Sequence, residues 1–94
     1  MFEDLSLEEK NVLDLLAKAE IDKDFKELEL YDFLKQYDDI DSIRLSLFDK
    51  GYINLKVENR NPKNIQTAYK YINGHLLTDY ALDCYKRLNN RNEL

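Results

Sequence analysis

The sequence predicts a single α+β domain in which helices surround one β-hairpin, and three observations favour that class. Ile40, Ile43 and Leu47 recur at the spacing of one helix face. After Gly51 the apolar period changes to two, which is typical of a half-buried strand. Helical patterns also occur near both ends of the chain, and 94 residues suffice for one modest core. We therefore expect one domain spanning 1–94.

The first helix is predicted over 5–20. Ser6 and Glu9 form a capping-box pattern, in which each residue's side chain accepts a hydrogen bond from the other's backbone N–H. Apolar residues from Val12 to Ala19 then follow at i, i+3, i+4 and i+7. One face of this helix is therefore expected to enter the core.

Two further helices are predicted over 27–37 and 39–50, separated by a short acidic turn. Such a tight connection makes adjacent helices cross at a steep angle. Either Asp38 or Asp39 is suited to cap the later helix. Gly51 is expected to end that helix, because glycine readily adopts the left-handed conformation needed there.

A hairpin is predicted over 52–72, with its turn in the asparagine- and proline-rich stretch 59–64. Asn73-Gly74 is a strong signal for a second tight turn. That turn either closes a further short strand over 75–77 or leads the chain out of the hairpin.

A last helix is predicted over 78–89, with Thr78 as its cap. Leu82, Tyr85 and Leu88 lie along one face of this helix. They either pack back on the first helix or meet a second copy of the chain in a homodimer.

Charge is distributed unevenly along the chain, whose net charge is −5. Residues 1–49 carry six Lys or Arg and fifteen Asp or Glu, a net charge of −9, whereas residues 50–94 carry eight and four, a net charge of +4. Affinity for nucleic acid depends on cations that replace counterions at phosphates, so any such contact must use the later half. There is no bilayer-spanning apolar run and no secretion signal, and we expect a cytoplasmic protein without a membrane partner.

The sequence favours no enzymatic chemistry, metal or cofactor. Cys84 is the only cysteine, which excludes an internal disulfide and a cysteine-based zinc site. Gly51 and Gly74 are the only glycines, so no glycine-rich phosphate loop exists. His75 has no second histidine, and the acidic stretch 38–41 lacks the later glycine and glutamate of a calcium loop. A non-enzymatic protein is the expectation.

The order of elements and two short motifs resemble winged-helix regulators of the bacterial MarR and PadR kind. Leu47, Gly51 and Ile53 match an L-x-x-x-G-x-I pattern, which joins a recognition helix to the first strand of the wing. The segment 76–79 resembles the L-T-x-x-G segment that closes the wing. The resemblance covers about 5–88 and implies a helix-turn-helix core, a hairpin wing and a C-terminal helix.

The resemblance implies a transcriptional regulator that places its third helix in the major groove of duplex DNA and its wing on the backbone. The positions expected to contact DNA are Ser42, Arg44 and Ser46 on the helix and Lys56, Arg60 and Lys63 in the wing. Asp38, Asp39 and Asp41 stand at the start of the same helix, where carboxylates would repel phosphates.

The alternative is a winged-helix protein–protein interaction module, such as a phage or mobile-element accessory protein, that does not bind DNA. Leu45 and Phe48 lie off the main apolar stripe of the third helix, where they either complete the core or form a hydrophobic patch for a protein partner. A third hypothesis is that the acidic N-terminal half mimics DNA and occupies a basic protein.

Overall fold

The computed structural model describes residues 2–21 and 34–92, without the side chains of 89–92. The described residues form three helices and a two-stranded antiparallel sheet, which confirms the α+β class. In chain order the elements are α1 (Leu7–Ile21), α2 (Ile40–Asp49), β1 (Leu55–Asn59), β2 (Gln66–Tyr69) and α3 (Asp79–Asn92). The helix predicted over 27–37 lies largely outside the described residues, so α2 corresponds to the helix predicted over 39–50.

The N-terminus of α1 has the predicted capping box. The backbone N–H of Ser6 donates to Glu9 Oε1 at 3.0 Å, and the N–H of Glu9 donates to Ser6 Oγ at 3.2 Å. Two N–H groups that the helix cannot satisfy itself are thereby satisfied. Leu7, just inside the helix, points to solvent with 77% of its surface exposed.

The C-terminus of α2 is a Schellman motif centred on Gly51. Gly51 has φ of 87°, its N–H donates to the carbonyl of Phe48 at 3.0 Å, and the N–H of Tyr52 donates to the carbonyl of Leu47 at 2.9 Å. At the other end Asp39 occupies the cap position, although its side chain forms no capping hydrogen bond. The glycine thus reverses the chain directly into the segment that leads to β1.

The hairpin is shorter than predicted over 52–72. β1 and β2 pair antiparallel in a register that places Leu55 opposite Tyr69, with an irregularity between Val57 and Asn59. At the tip, the N–H of Asn61 donates to the Asn59 side chain at 2.9 Å, and the N–H of Lys63 donates to the Asn61 side chain at 3.0 Å. These successive asparagine turns confirm the predicted turn and hold the backbone of the tip in place.

The segment before β1 pairs with the chain that follows the second turn. Ile53 forms a bridge with Leu77, and the N–H of Asn54 donates to the carbonyl of Leu76 at 2.8 Å. Asn73 and Gly74 both have positive φ, 54° and 79°, as the predicted tight turn requires. The turn therefore brings residues 75–77 back beside the base of the hairpin through a single bridge, and no further strand forms there.

One apolar cluster joins all of these elements. Its buried members are Phe2, Val12, Leu13, Leu16, Ala17, Leu34, Ile43, Leu47, Tyr52, Ile53, Leu55, Leu76, Leu77, Ala81 and Cys84. Thr78 caps α3 by accepting the N–H of Ala81 at 3.2 Å, and α3 then packs back on α1, where the Tyr85 hydroxyl donates to Asp14 at 2.7 Å. Among the described residues, no helix has both the length and the apolar character needed to cross a bilayer.

Glu9 connects α1 to the C-terminal half of α2. Its carboxylate accepts from the hydroxyl of Ser46 and from Lys50 Nζ at 3.1 Å, in addition to the capping bond from Ser6. Only 12% of its side chain is exposed. Burial alone would raise the pKa of Glu9, but the hydrogen bonds from Ser46, Ser6 and Lys50 outweigh it and lower that pKa to about 2. The folded state therefore holds this carboxylate ionised.

We predict that Glu9→Gln destabilises the protein and changes its acid sensitivity. The loss of a charge-assisted acceptor should lower the free energy of unfolding at neutral pH by about 1–3 kcal/mol. Because folding depresses the pKa from 4.5 to about 2, the Glu9 contribution is fully present above pH 4.5 and is lost as the pH falls toward 2. Urea unfolding between pH 7 and that acidic limit should show the difference between wild type and variant shrinking.

The matched control is Glu8→Gln, which neutralises the exposed neighbouring carboxylate in the same helical turn. Its unfolding free energy should remain within about 0.5 kcal/mol of wild type. Equal losses in the two variants would contradict the role assigned to Glu9.

Candidate interaction face

The exposed sides of α2 and the hairpin form one continuous surface, here called the α2–hairpin face. It is held together by the hydroxyl of Thr67 on β2, which donates to Asp41 Oδ1 on α2 at 2.6 Å. Between residues 38 and 70 the chain carries six Lys or Arg and five Asp or Glu. The face that the resemblance assigns to DNA is therefore close to electrical neutrality.

Arg44 lies against the hairpin and is largely withdrawn from solvent. Its Nε donates to the Tyr69 hydroxyl at 3.1 Å, its guanidinium carbon lies 4.5 Å from the centre of the Tyr69 ring, and Nη1 is 3.8 Å from Asp41. Only 17% of the side chain is exposed. Burial raises the pKa of Tyr69, against an opposing effect of the nearby guanidinium. A cation stacked and hydrogen-bonded in this way stabilises the α2–hairpin junction.

The two serines predicted to contact DNA lie in different surroundings. Ser46 faces α1, where its hydroxyl donates to Glu9. Ser42 is half-buried and lines a cleft with the start of α2 and the tip of the hairpin. Ser42 therefore remains near the face, whereas the hydroxyl of Ser46 is already used inside the fold.

The hairpin cations differ in whether they already have an anionic partner. Arg60 is exposed and forms two hydrogen bonds with Asp49, at 3.0 and 3.3 Å, which raise its pKa. Lys56 is exposed and only 4.0 Å from Glu58. Lys63 at the tip is exposed and lines the cleft that also contains Asp38, Asp39 and Asp41. Lys56 and Lys63 are therefore the predicted DNA contacts that stay most available to an external anion.

Carboxylates surround two adjoining clefts at the start of α2, and this surface is here called the acidic groove. One cleft of about 220 Å³ lies between Asp38, Asp39 and Asp41 and the hairpin tip, which contributes residues 62–65. The other, of about 270 Å³, includes Asp38, Asp39 and Glu8 from α1. In the described part of the chain no group of three or more His, Cys, Asp or Glu is placed to hold a metal ion. Asp38, Asp39 and Glu8 are exposed, so these carboxylates of the groove face solvent.

The predicted apolar contacts mostly belong to the core. Phe48 on α2 packs against the central cluster, as do Leu82, Tyr85 and Leu88 on α3. Burial and the bond to Asp14 raise the pKa of the Tyr85 hydroxyl. Leu45 is half-buried. The residues proposed for a dimer interface thus have an intramolecular role in the described fold.

The sequence analysis did not predict which residues the polar side chains of α1, α2 and the hairpin contact. Glu9 was interpreted as a local cap, yet it also binds Ser46 and Lys50. Ser46 lies on α2 and Lys50 is its C-cap four residues later, so the two lie on the same side of the helix, which was the available signal. The approach of Glu8 to Asp38 and Asp39 has no comparable sequence signal, because it depends on how α1 and α2 pack.

Comparison of the chain with protein-family models, with curated proteins and with solved structures finds no match in any of the three. The function is therefore argued from the geometry above.

We predict that Arg44 and Arg60 differ sharply in their effects on stability. Arg44→Ala removes a stacked, hydrogen-bonded cation and should lower the free energy of unfolding by about 1–2 kcal/mol. Arg60→Ala removes an exposed, solvent-screened ion pair and should leave the free energy of unfolding close to that of wild type. Chemical denaturation of both variants measures the difference.

Tyr69→Phe keeps the ring under Arg44 and removes only the hydroxyl acceptor. Its stability should lie between wild type and Arg44→Ala. If Arg44→Ala unfolds at the same denaturant concentration as wild type, Arg44 is free for an external ligand and the structural assignment fails.

Proposed function

We propose that this chain is a winged-helix protein–protein interaction module that binds a cationic segment of its partner in the acidic groove. The winged-helix part rests on the order of elements, on the glycine-ended α2 leading into β1, and on the return of the chain beside Tyr52–Asn54 after the hairpin. The proposal that the partner's segment is cationic rests on the charge distribution of the α2–hairpin face.

The observation that carries the proposal is the position of the charges at the start of α2. In DNA-bound helix-turn-helix proteins, the N-terminal residues of the recognition helix contact base edges. Here that end presents Asp38, Asp39 and Asp41, with Glu8 of α1 beside them. Phosphates brought to this end of α2 would meet four carboxylates, whereas lysine or arginine side chains would be attracted.

Most cations of the same face are already engaged, and Lys63 of the hairpin tip, which lines the groove beside the carboxylates, offsets only part of their charge. Arg44 is stacked on Tyr69, and Lys50 is bound to Glu9. Arg60 is paired with Asp49, so a phosphate that captured Arg60 would leave the Asp49 carboxylate close to the DNA backbone. Since the Arg60–Asp49 pair is exposed, it contributes little to stability, and replacing Asp49 by a phosphate as the partner of Arg60 costs little free energy. The nearby carboxylates are the larger obstacle to DNA.

The groove's shape also fits a peptide segment. Its two clefts share Asp38 and Asp39 and run from α1 to the hairpin tip, whose backbone is fixed by the Asn59 and Asn61 turns. A fixed groove costs less ordering on binding than a mobile one. The module acts as a monomer in this proposal, because the α3 residues expected in a dimer pack on the core.

We predict that a short oligolysine peptide binds the protein at low salt and that Asp38→Asn with Asp39→Asn weakens this binding about five- to tenfold. Two lost, exposed charge contacts are worth about 0.5–0.7 kcal/mol each. Fluorescence anisotropy of a labelled peptide gives the affinities, with a matched oligoglutamate peptide expected not to bind.

The matched control is Asp79→Asn with Asp83→Asn, which removes the same charge from exposed positions on α3. Its affinity for oligolysine should stay within about twofold of wild type, since exposed charges at a distance are screened. Equal weakening by the two double variants would show attraction to net charge alone and would refute the groove.

A second candidate function is DNA binding led by the hairpin, favoured by one specific observation. Lys56 and Lys63 are exposed, and the contact of Lys56 with Glu58, at 4.0 Å, is too long for a hydrogen bond. Both lie on a hairpin whose tip is fixed by hydrogen bonds, as a wing that touches a phosphate backbone requires. In this candidate α2 contributes few contacts, and binding depends on the hairpin cations.

For this candidate we predict that Lys56→Ala with Lys63→Ala weakens binding to random duplex DNA at low salt and reduces the salt slope. Each lost phosphate contact removes roughly one unit of slope. Lys86→Ala with Arg87→Ala on α3 removes the same charge and should leave the slope unchanged. Wild-type protein that binds oligolysine but not random DNA at low salt would exclude this candidate and support the first.

A further inference from the structure

The first residues of the chain form a short strap across the end of α2. Phe2 is buried, with its ring 5.6 Å from Tyr52 and 5.2 Å from Tyr85, and with Lys10 Nζ 4.8 Å above it. Asp4 accepts from the Tyr52 hydroxyl through its carboxylate and from Lys50 Nζ through its carbonyl, both at 2.7 Å. The strap, defined as residues 2–4, therefore contacts α1, α3 and the turn after α2.

The backbone of the strap is strained. Phe2 has φ of 68°, a left-handed conformation that bulky residues rarely adopt. Strain of this kind persists only when surrounding contacts outweigh it. The ring contacts of Phe2 and the two bonds to Asp4 serve that purpose, so the loss of any one of them shifts the strap toward release.

The residues that contact the strap also take part in the hydrogen bonds that position α2 against α1. Lys50, the C-cap of α2, and Tyr52 lie on either side of Gly51. Lys50 also binds Glu9, and Glu9 accepts from Ser46 in the middle of α2. Two of the strap's contacts are thus made to residues that fix the position of α2 against α1.

We propose that the strap is a closure device for α2: when it is closed, it fixes the C-terminal end of α2 and the base of the hairpin, and when it is released, both become mobile. Because the acidic groove is built on the opposite end of the same helix, its geometry depends on the closed strap. This last step rests on the proposed function, whereas the closure itself does not. The Tyr52 hydroxyl is held by burial and by Asp4 in the closed form, and the pKa of Tyr52 is raised accordingly.

Hydrogen exchange measured by mass spectrometry on the full chain tests the closure. Phe2→Ala should speed exchange of the amides of Lys50, Gly51 and Tyr52 about tenfold, since it removes two aromatic contacts. Tyr52→Phe keeps the ring and removes only the bond to Asp4, so it should give a smaller increase at the same amides. Leu7→Ala, at an exposed position of α1, is the matched control and should change none of them.

The pattern of hydrogen exchange shows whether Phe2 holds a strap closed or only contributes to the core. Acceleration confined to the end of α2 and the base of the hairpin supports the strap. Unchanged exchange there overturns it, as does an equal acceleration at Val12 and Leu13, because the latter would mean that Phe2 only contributes to global stability.

Oligolysine binding by the same variants separates this inference from the proposed function. Weaker binding by Phe2→Ala with local acceleration supports the dependence of the groove on the strap. Local acceleration with unchanged oligolysine affinity overturns that dependence. If wild type does not bind oligolysine, the proposed function fails, and the exchange result alone still decides whether the strap exists.

Discussion

The structure depends on the ionised carboxylate of Glu9, which is largely removed from water. A carboxylate in that position must be supplied with hydrogen-bond donors, or burial would be strongly unfavourable. The donors come from three places: the chain before α1, the middle of α2 and the residue just after α2. Satisfying one group therefore fixes where α2 lies on α1, and the α2–hairpin face takes its position from α2. The capping box contributes to helix formation and to tertiary structure through the same side chain.

The contacts within the α2–hairpin face also limit what that face can attract. Arg44, the only cation between residues 38 and 49, stacks on a tyrosine of the hairpin, and Asp41 accepts a hydrogen bond from Thr67 beside it. These contacts fix the angle between α2 and the hairpin. They use side chains of α2 that the resemblance to DNA-binding regulators would place toward DNA. What remains exposed at the start of α2 is acidic. The same contacts that hold the face together therefore limit its attraction for phosphate.

Local signals in the sequence predicted local structure well. The capping box at Ser6 and Glu9, the helix end at Gly51 and the turn at Asn73-Gly74 each depend on a few consecutive residues, and the structure confirms all three. The strand boundaries were wrong because Tyr52–Asn54 pairs with the segment after the second turn, not with β2. The partners of Arg44 and Arg60 are side chains 25 and 11 residues away, and no spacing rule connects them. The DNA contacts assigned by resemblance remain predictions for the same reason: position on a helix does not reveal which side chains the fold has already engaged.

Salt dependence is the property that best separates the two candidate functions. A protein that neutralises several phosphates releases as many counterions, and its affinity falls steeply with salt. A peptide bound at a few carboxylates in a fixed groove is affected through screening, with no counterion atmosphere to release. Because the α2–hairpin face is nearly neutral, its long-range field steers neither partner strongly, and discrimination must come from contacts formed after encounter. A shallow slope for a cationic peptide that depends on Asp38 and Asp39 is the result expected from this geometry.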